Sequence, residues 1–538
     1  MELFNFLKKH SLLIFIIFFT ILLRLGPIWG GNFSFMYDNA KDALVIREMG
    51  LHLKPALFGA VTSIDGVYNG PLWYYLALPF NIIGAFHPFS NVLMVIFLSV
   101  LSVILLYLRV GKFEAFLYAV SFGLIGSQQS AWTPYMTPFI VLPILIILLE
   151  MRKNYYKKYQ LLLTKQLTLL FLLVSFVFHF QTAFAIVLLP TVLIILYLFK
   201  LKISKRQIWF SLAAFLIPWT PFVIFELRHK FHQTKQIIKF IANYGEQSNY
   251  INPNASGLTR VLEISNYIYQ SLWQAVTPAK FELAGFVILF LLIIYLFAQS
   301  FFKKHQRLPI LKRIRKLRFA NKRERVIFSS FILVPLIFYL ILPCKSYYLI
   351  ALMPLWIIIF ATLVRNWFRH YVKLIVGVFL ILSLLDFKNH LGHAKVLAQT
   401  ESFFFGPKYE AVEKVYELSE GKPFASYHFV KEVYDYTYQY IYLYSIDQGR
   451  PIPVEFSYAP GETLYIPQKH IQAKKQKPEY IFLIVEDYYS QQIFEQWWLR
   501  VASELEIIEE YEVNAAIKIY KTAKINISSK EVDLQTID

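Results

Sequence analysis

The sequence is poor in cysteine and poor in charge, and each shortage narrows what it can be. A single cysteine, Cys344, in 538 residues excludes an intramolecular disulfide and any cysteine-rich metal site. Charged residues make up 17% of the chain against 57% hydrophobic ones, which excludes an ordinary water-soluble domain for most of its length. The formal charge of +19 is not gathered on one foldable face, as nucleic acid would require, but sits in short links between apolar runs. Nucleic acid is therefore not an expected partner, whereas membrane lipid is.

What the chain does have is a series of apolar runs of roughly 17 to 25 residues, the helix length demanded by a hydrocarbon core about 30 Å thick. They fill the region from Ser11 to about Asp386. The first run follows Lys8 and Lys9, is too long for a signal-peptide core, has no clear small-residue cleavage site after it, and reads as a retained anchor.

With Lys8 and Lys9 on the inner side, the positive-inside rule orders about eleven spans. They cover 11–29, 91–108, 114–127, 135–150, a two-helix hairpin over Leu167–Phe199, then 208–225, 283–301, 326–342, 347–364 and 374–387. Basic clusters fall inside each time: Arg109 and Lys112; Arg152, Lys153, Lys157 and Lys158; Lys200 to Arg206; the long link from Lys303 to Arg325; and Arg365, Arg369 and Lys373. The hairpin tip is His179-Phe180-Gln181-Thr182. The expected architecture is a polytopic α-helical membrane protein with a small soluble α/β C-terminal domain. Residues 1–387 form the membrane domain, with outer loops 30–90 and 226–282, and residues 388–538 form the soluble domain. The N-terminus is expected in the cytoplasm and the C-terminal domain outside the cell membrane.

In the soluble part an amphipathic helix is expected near Tyr409–Ser419 and strands at Ile481–Val485 and Ile517–Tyr520. Tyrosines at 434, 436, 438, 440, 442 and 444 repeat with a period of two, which would line one face of a strand. A packed aromatic face and a sugar-stacking face are the two readings of that stripe.

Carboxylates are scarce in the membrane domain, so their positions are informative. Asp38, Asp42, Glu48, Asp65, Glu226, Glu246, Glu263, Glu282 and Asp386 are expected at the outer face, against Glu2, Glu114, Glu150 and Glu324 at the inner one. Ionisable residues are not distributed over the midplane of several spans, as an ion-coupled transporter would require, and an outward-facing site fits better.

The richest stretch is Tyr37-Asp38-Asn39-Ala40-Lys41-Asp42, directly after the first span. Asp38 reads either as a general base or as the N-cap of a helix that places Asp42 one turn on. Downstream, Tyr68-Asn69-Gly70-Pro71-Leu72-Trp73-Tyr74-Tyr75 is a turn into an aromatic helix, for which an interfacial aromatic belt is the structural alternative. Arg24, His179, Gln181, Arg228, His229 and Lys345 are polar groups expected at the same depth, where together they could hold an anionic headgroup. Singly, Arg24 has the alternative of snorkelling, His179 of capping a helix, and Arg228, His229 and Lys345 of touching lipid phosphate.

On these residues the chain resembles the GT-C superfamily of membrane glycosyltransferases, specifically the glycosyltransferase family 39-like proteins related to protein O-mannosyltransferases and aminoarabinose transferases. The resemblance rests on the acidic motif at 37–42, the Gly70-Pro71-Leu72-Trp73-Tyr74-Tyr75 motif, and the Lys345-Ser346-Tyr347-Tyr348 turn before a late span. It implies a sugar donor on a polyprenyl phosphate, with Asp38 at the family's first-loop carboxylate, Asp42 as its helper, and Tyr37, Tyr74 and Tyr348 beside the substrate. Relatives often carry Asp-Glu where this chain has Asp38-Asn39. Relatives that bind a divalent metal supply further acids from a second outer loop, which here reads Ser127-Gln128-Gln129-Ser130-Ala131-Trp132. No cofactor is therefore expected, with a divalent metal left open. Arg24 and Lys345 would stabilise the leaving phosphate, and Asp38 would deprotonate the acceptor hydroxyl in one inverting step. The acceptor stays open among protein, lipid and glycan. The alternatives from other classes are a non-enzymatic lipid or polysaccharide transporter and an assembly subunit of a cell-envelope glycan system.

Overall fold

The computed structural model describes residues 2–62, 64–151, 157–243, 257–304, 320–468 and 476–525. Arg152, Lys153, Glu246 and the 305–319 part of the basic link lie outside the described residues. The chain forms two compact units: Met1–Gly26, Pro55–Ala77 and Val92–Asn389 make the first, and Pro27–Lys54, Leu78–Asn91 and His390–Asp538 make the second.

The second unit is built on a five-stranded sheet of β1 (Phe424–Phe429), β2 (Glu455–Ser457), β3 (Tyr480–Glu486), β4 (Leu505–Asn514) and β5 (Ile517–Lys524), in the order β2-β1-β3-β5-β4. β1 pairs parallel with β2 and β3, while β5 pairs antiparallel with β3 and β4. Strands buried on both faces read as continuous apolar runs, and β1 is buried at every residue. Ala425, Tyr427, Phe429, Ile481, Leu483 and Val485 face the Gln491–Ala502 helix through Trp497 and Val501. The alternate residues carry a polar network on the opposite face. His428 bridges Asp435 Oδ2 (3.0 Å) and Ser426 Oγ (3.1 Å), and Ser426 accepts from the Tyr442 hydroxyl at 2.8 Å. The order Ser-His-Asp matches a hydrolytic triad in connectivity, but all three are buried and Tyr442 occupies the serine hydroxyl. This is a core network that specifies packing.

The tyrosine stripe does not form a strand. Tyr434 precedes the Tyr436–Asp447 helix and the other five tyrosines lie on it, where a spacing of two scatters side chains around the axis instead of aligning them. The helix accommodates this because it is buried on several sides and every deep hydroxyl finds an acceptor. Tyr438 donates to Glu486 (3.0 Å), Tyr440 to the Phe86 carbonyl (2.5 Å) and Tyr442 to Ser426. The expected helix near Tyr409–Ser419 is present as Phe405–Leu418, and the expected strands are β3 and β5.

Along the whole chain eight described helices are long and apolar enough to cross a membrane: His10–Gly31, Phe89–Arg109, Thr133–Glu150, Gln160–Phe178, Lys205–Arg228, Lys322–Ile341, Ser346–Trp367 and Arg369–Thr400. Shorter apolar helices lie at Leu72–Ile83, Thr182–Leu198 and Glu282–Leu296. The hairpin turns where the sequence places its polar tip, between Phe178 and Thr182. The Met353–Trp367 helix is buried along nearly its whole length.

The span expected at 114–127 is not continuous. It is two helices, Lys112–Val120 of 9 residues and Phe122–Ser127 of 6, broken at Ser121. At 1.5 Å per residue they reach only about 14 Å and 9 Å, well short of a hydrocarbon core. The break pairs with the Gly257–Val276 helix: Phe122 N donates to Thr277 O (2.9 Å) and Ser121 Oγ to Gln274 O (3.3 Å).

A helix that stops inside an apolar environment leaves carbonyls without partners, and Arg24 satisfies them. Its guanidinium, with no solvent exposure, donates to the carbonyls of Tyr118 (3.2 Å) and Ala119 (2.9 Å), to Thr20 O (3.3 Å) and to Gln128 Oε1 (2.7 Å). Gln128 Oε1 also accepts from Ser99 Oγ (2.9 Å), and Gln128 Nε2 donates to the Tyr118 hydroxyl (3.1 Å). The broken segment is thereby tied to the first span and to the Phe89–Arg109 helix.

Replacing Arg24 by Leu removes the donors and leaves buried carbonyls unsatisfied, at an expected cost of about 3–5 kcal/mol. Arg24→Lys is expected to recover little, because one ammonium cannot reproduce the planar fork. Thermal unfolding of the detergent-purified variants checks both.

Candidate active site

The acidic motif lies in the second unit on the Tyr37–His52 helix. Its N-cap is Met36 rather than Asp38: Asn39 Oδ1 accepts from Met36 N at 3.0 Å, so the neutral residue beside Asp38 closes the helix start. Asp38 therefore sits within the first turn, where a carboxylate is favoured by the helix dipole. Its Oδ1 accepts from Lys41 Nζ at 2.7 Å, with the carboxylate side chain 33% exposed and the lysine 7%. Burial lowers the Lys41 pKa, but Asp42 and Asp38 outweigh it and hold the ammonium above its ordinary value. Asp42 is buried one turn on.

Two acids that no sequence motif marks support this helix. Glu432, on the turn after β1, accepts from Tyr37 N at 2.8 Å. Glu432 and Glu486 share the fully buried Lys408, whose Nζ is 3.7 Å from Glu432 and 3.3 Å from Glu486. Burial pushes the Glu432 carboxyl above its usual range despite Lys408. One signal for Glu432 existed in the sequence, a charged turn following a strand, since the carboxyl ends of parallel strands are where open α/β sheets place functional groups. Further along, Arg47 forms a two-pronged pair with Asp447 at 2.6 and 2.7 Å.

The remaining expected residues belong to the first unit, where three of the sequence motifs converge. Asn69 Oδ1 accepts from Thr182 N (3.2 Å) and Thr182 Oγ1 (2.9 Å), which fastens the Gly-Pro motif to the hairpin tip. Gly70 packs directly on the His179 ring, so close that a Cβ there would lie 1.9 Å from Nδ1. From its other side Gln233 brackets Tyr68, accepting from its N–H at 3.3 Å and donating to its carbonyl at 3.2 Å. The third motif joins through Tyr339, whose hydroxyl donates to Ala183 O (3.2 Å) and whose ring lies 6.2 Å from Tyr348. Lys345 is exposed at the start of that turn, and Trp132 of the neutral loop meets Tyr347 at 4.8 Å.

Tyr74 is buried at the start of the aromatic helix. Arg228 and His229 are exposed, the His229 ring stacked on Phe225 at 4.3 Å. Arg24 has the bracing role described above, with its donors directed at protein acceptors. His179 and Gln181 are buried, at 3% and 4% exposure, and neither ring nitrogen of His179 nor either amide atom of Gln181 has a hydrogen-bond partner.

Gly70→Ala is expected to cost about 1–3 kcal/mol through overpacking against His179. The double variant Gly70→Ala, His179→Ala is expected to recover most of that loss, a coupling read from the melting temperatures of the four proteins in the cycle.

No protein-family model and no curated protein matches the chain. Solved structures do: the chain is similar to ArnT from Cupriavidus metallidurans bound to undecaprenyl phosphate, with a TM-score of 0.52 and 10% identity over 95% of this chain and 96% of that one. It is similar to the apo state of the same protein at a TM-score of 0.52 and 8% identity, over 96% and 98%. At such identity it is backbone architecture that is shared, and it is shared end to end: helical membrane unit and small sheet-bearing unit alike. The fold is ArnT-like, that of a polytopic helical membrane protein with a small sheet-bearing unit.

Proposed function

We propose that this protein transfers a sugar from a polyprenyl-phosphate donor to an acceptor hydroxyl at the outer face of the membrane. The observation that carries this reading is the full-length likeness to ArnT, a protein solved with undecaprenyl phosphate bound. The first-loop carboxylate on an ordered helix start supports it independently.

Asp38, in the first turn of its helix and a third exposed, is the proposed base. It takes the proton of the acceptor hydroxyl as that oxygen attacks the anomeric carbon from the side opposite the phosphate. The carbon–oxygen bond to the phosphate breaks, its electron pair leaves on the polyprenyl phosphate, and the configuration inverts. Lys41 and Glu432 act as positioning residues, one bound to the Asp38 carboxylate and the other to the helix N-terminus. Lys345, exposed beside Tyr347 and Tyr348, is the proposed cation for the leaving phosphate. Among the described residues no three His, Cys, Asp or Glu side chains gather around a common point, and the proposed step is routed through side chains alone.

Asp38→Asn is expected to lower transfer from a lipid-linked sugar by about 10²- to 10⁴-fold at unchanged protein abundance. Full activity in that variant would refute the assignment. Chelation with EDTA is expected to leave the wild-type rate unchanged. For the proposed topology, protease added to right-side-out vesicles is expected to cleave within residues 388–538, and in inverted vesicles to leave them intact.

A further inference from the structure

The hairpin tip of the first unit contains an anomaly that its packing does not explain. Buried polar side chains are almost always hydrogen-bonded, and each exception calls for a partner. Here the side chains of His179 and Gln181, two residues apart on the same turn, are both more than nine-tenths buried and leave all four of their polar atoms unpaired. Apolar residues of similar shape would be more stable at both positions. The segment around them is fully satisfied: Thr182 bonds Asn69, Tyr339 bonds Ala183, and Gln181 N bonds Val177 O at 2.9 Å. Within the described residues 177–183, the unpaired buried side-chain atoms are those of these two residues.

Their chemistry specifies what would satisfy them. The Gln181 amide offers two donors and an acceptor. Neither ring nitrogen of His179 has a hydrogen-bond partner, a carboxylate included, and because an isolated buried imidazolium would be prohibitively costly the ring is taken as neutral, offering one donor and one acceptor. A phosphate supplies only acceptors and negative charge, and would face the bare imidazole nitrogen and the amide oxygen unfavourably. A ring of hydroxyl groups supplies donors and acceptors together and carries no charge.

Resting on the transferase reading above, we infer that His179 and Gln181 form the subsite for the hydroxyl groups of the donor sugar, separate in chemistry from the cationic site for its phosphate. The subsite is shut in this structure. The imidazole lies against Gly70, and the Asn69–Thr182 bonds hold the Gly-Pro segment across the tip. Sugar entry displaces that segment, and hydroxyls replace the missing partners. Gly70 is the residue that lets the backbone close on the empty ring.

The test uses the full-length protein in detergent, with His179→Leu and Gln181→Leu made separately. Melting temperatures are read without ligand, with undecaprenyl phosphate, and with undecaprenyl phosphate carrying glucose, mannose or arabinose. The wild type is expected to be stabilised more by one of the glycosylated lipids than by the bare lipid. Each variant is expected to melt at or above the wild-type temperature without ligand and to respond normally to the bare lipid. Its affinity for the preferred glycosylated lipid is expected to fall by about tenfold or more, as sites built to bind hydroxyls do when a partner is removed. Variants that keep the full increment for the sugar, or a wild type that responds equally to bare and all glycosylated lipids, would overturn the subsite and leave the transferase reading standing. A wild type that responds to no polyprenyl lipid would overturn both.

Discussion

A helix that ends in a buried, apolar setting needs something to receive its carbonyls, and the first unit contains one such ending. The chain breaks at Ser121, and Arg24 closes the break from the first span. A guanidinium is suited to this because it is planar, permanently charged and rich in donors. The cost of burying it is offset by the carbonyls that would otherwise be orphaned and by the Gln128 amide, which passes the constraint on to Ser99 and Tyr118. The short helices, the neutral loop after them and the approach of the Gly257–Val276 helix all follow from that closure.

This also explains why Arg24 reads ambiguously in the sequence. An arginine near the end of an apolar run has the same local signature whether it holds a headgroup, reaches for the interface or braces a neighbouring helix. Only the position of the Ser121 break distinguishes these, and an apolar run of fourteen residues does not reveal that it is interrupted. The tyrosine stripe misleads for a related reason. Alternation identifies a strand only where one face is solvated, and a helix enclosed on several sides by aromatic rings tolerates any spacing whose hydroxyls find acceptors.

Other features were legible because their cause is local. The hairpin over Leu167–Phe199 follows from basic residues at both ends of a run too long for one crossing, and β3 and β5 from short β-branched runs. The three loop motifs were visible as motifs, but their grouping was not. The Gly-Pro turn, the His-Phe-Gln-Thr tip and the Lys-aromatic turn meet through Asn69, Thr182 and Tyr339, while the Asp38 helix is supported by Glu432. These are long-range pairings, and apart from the charged turn that carries Glu432 nothing in their local sequence announces them.

The chain changes unit at five points, and the second unit draws two of its three segments, Pro27–Lys54 and Leu78–Asn91, from the first 91 residues. During synthesis those segments emerge long before His390–Asp538, whose sheet and Tyr436–Asp447 helix they pack against through Arg47, Tyr37 and Phe86. Until then their partners do not exist, and the unit is complete only when its last segment has been made. A chain that stops between the final span and β1 leaves the Asp38 helix without Glu432 and Asp447, the acids that Tyr37 and Arg47 bond.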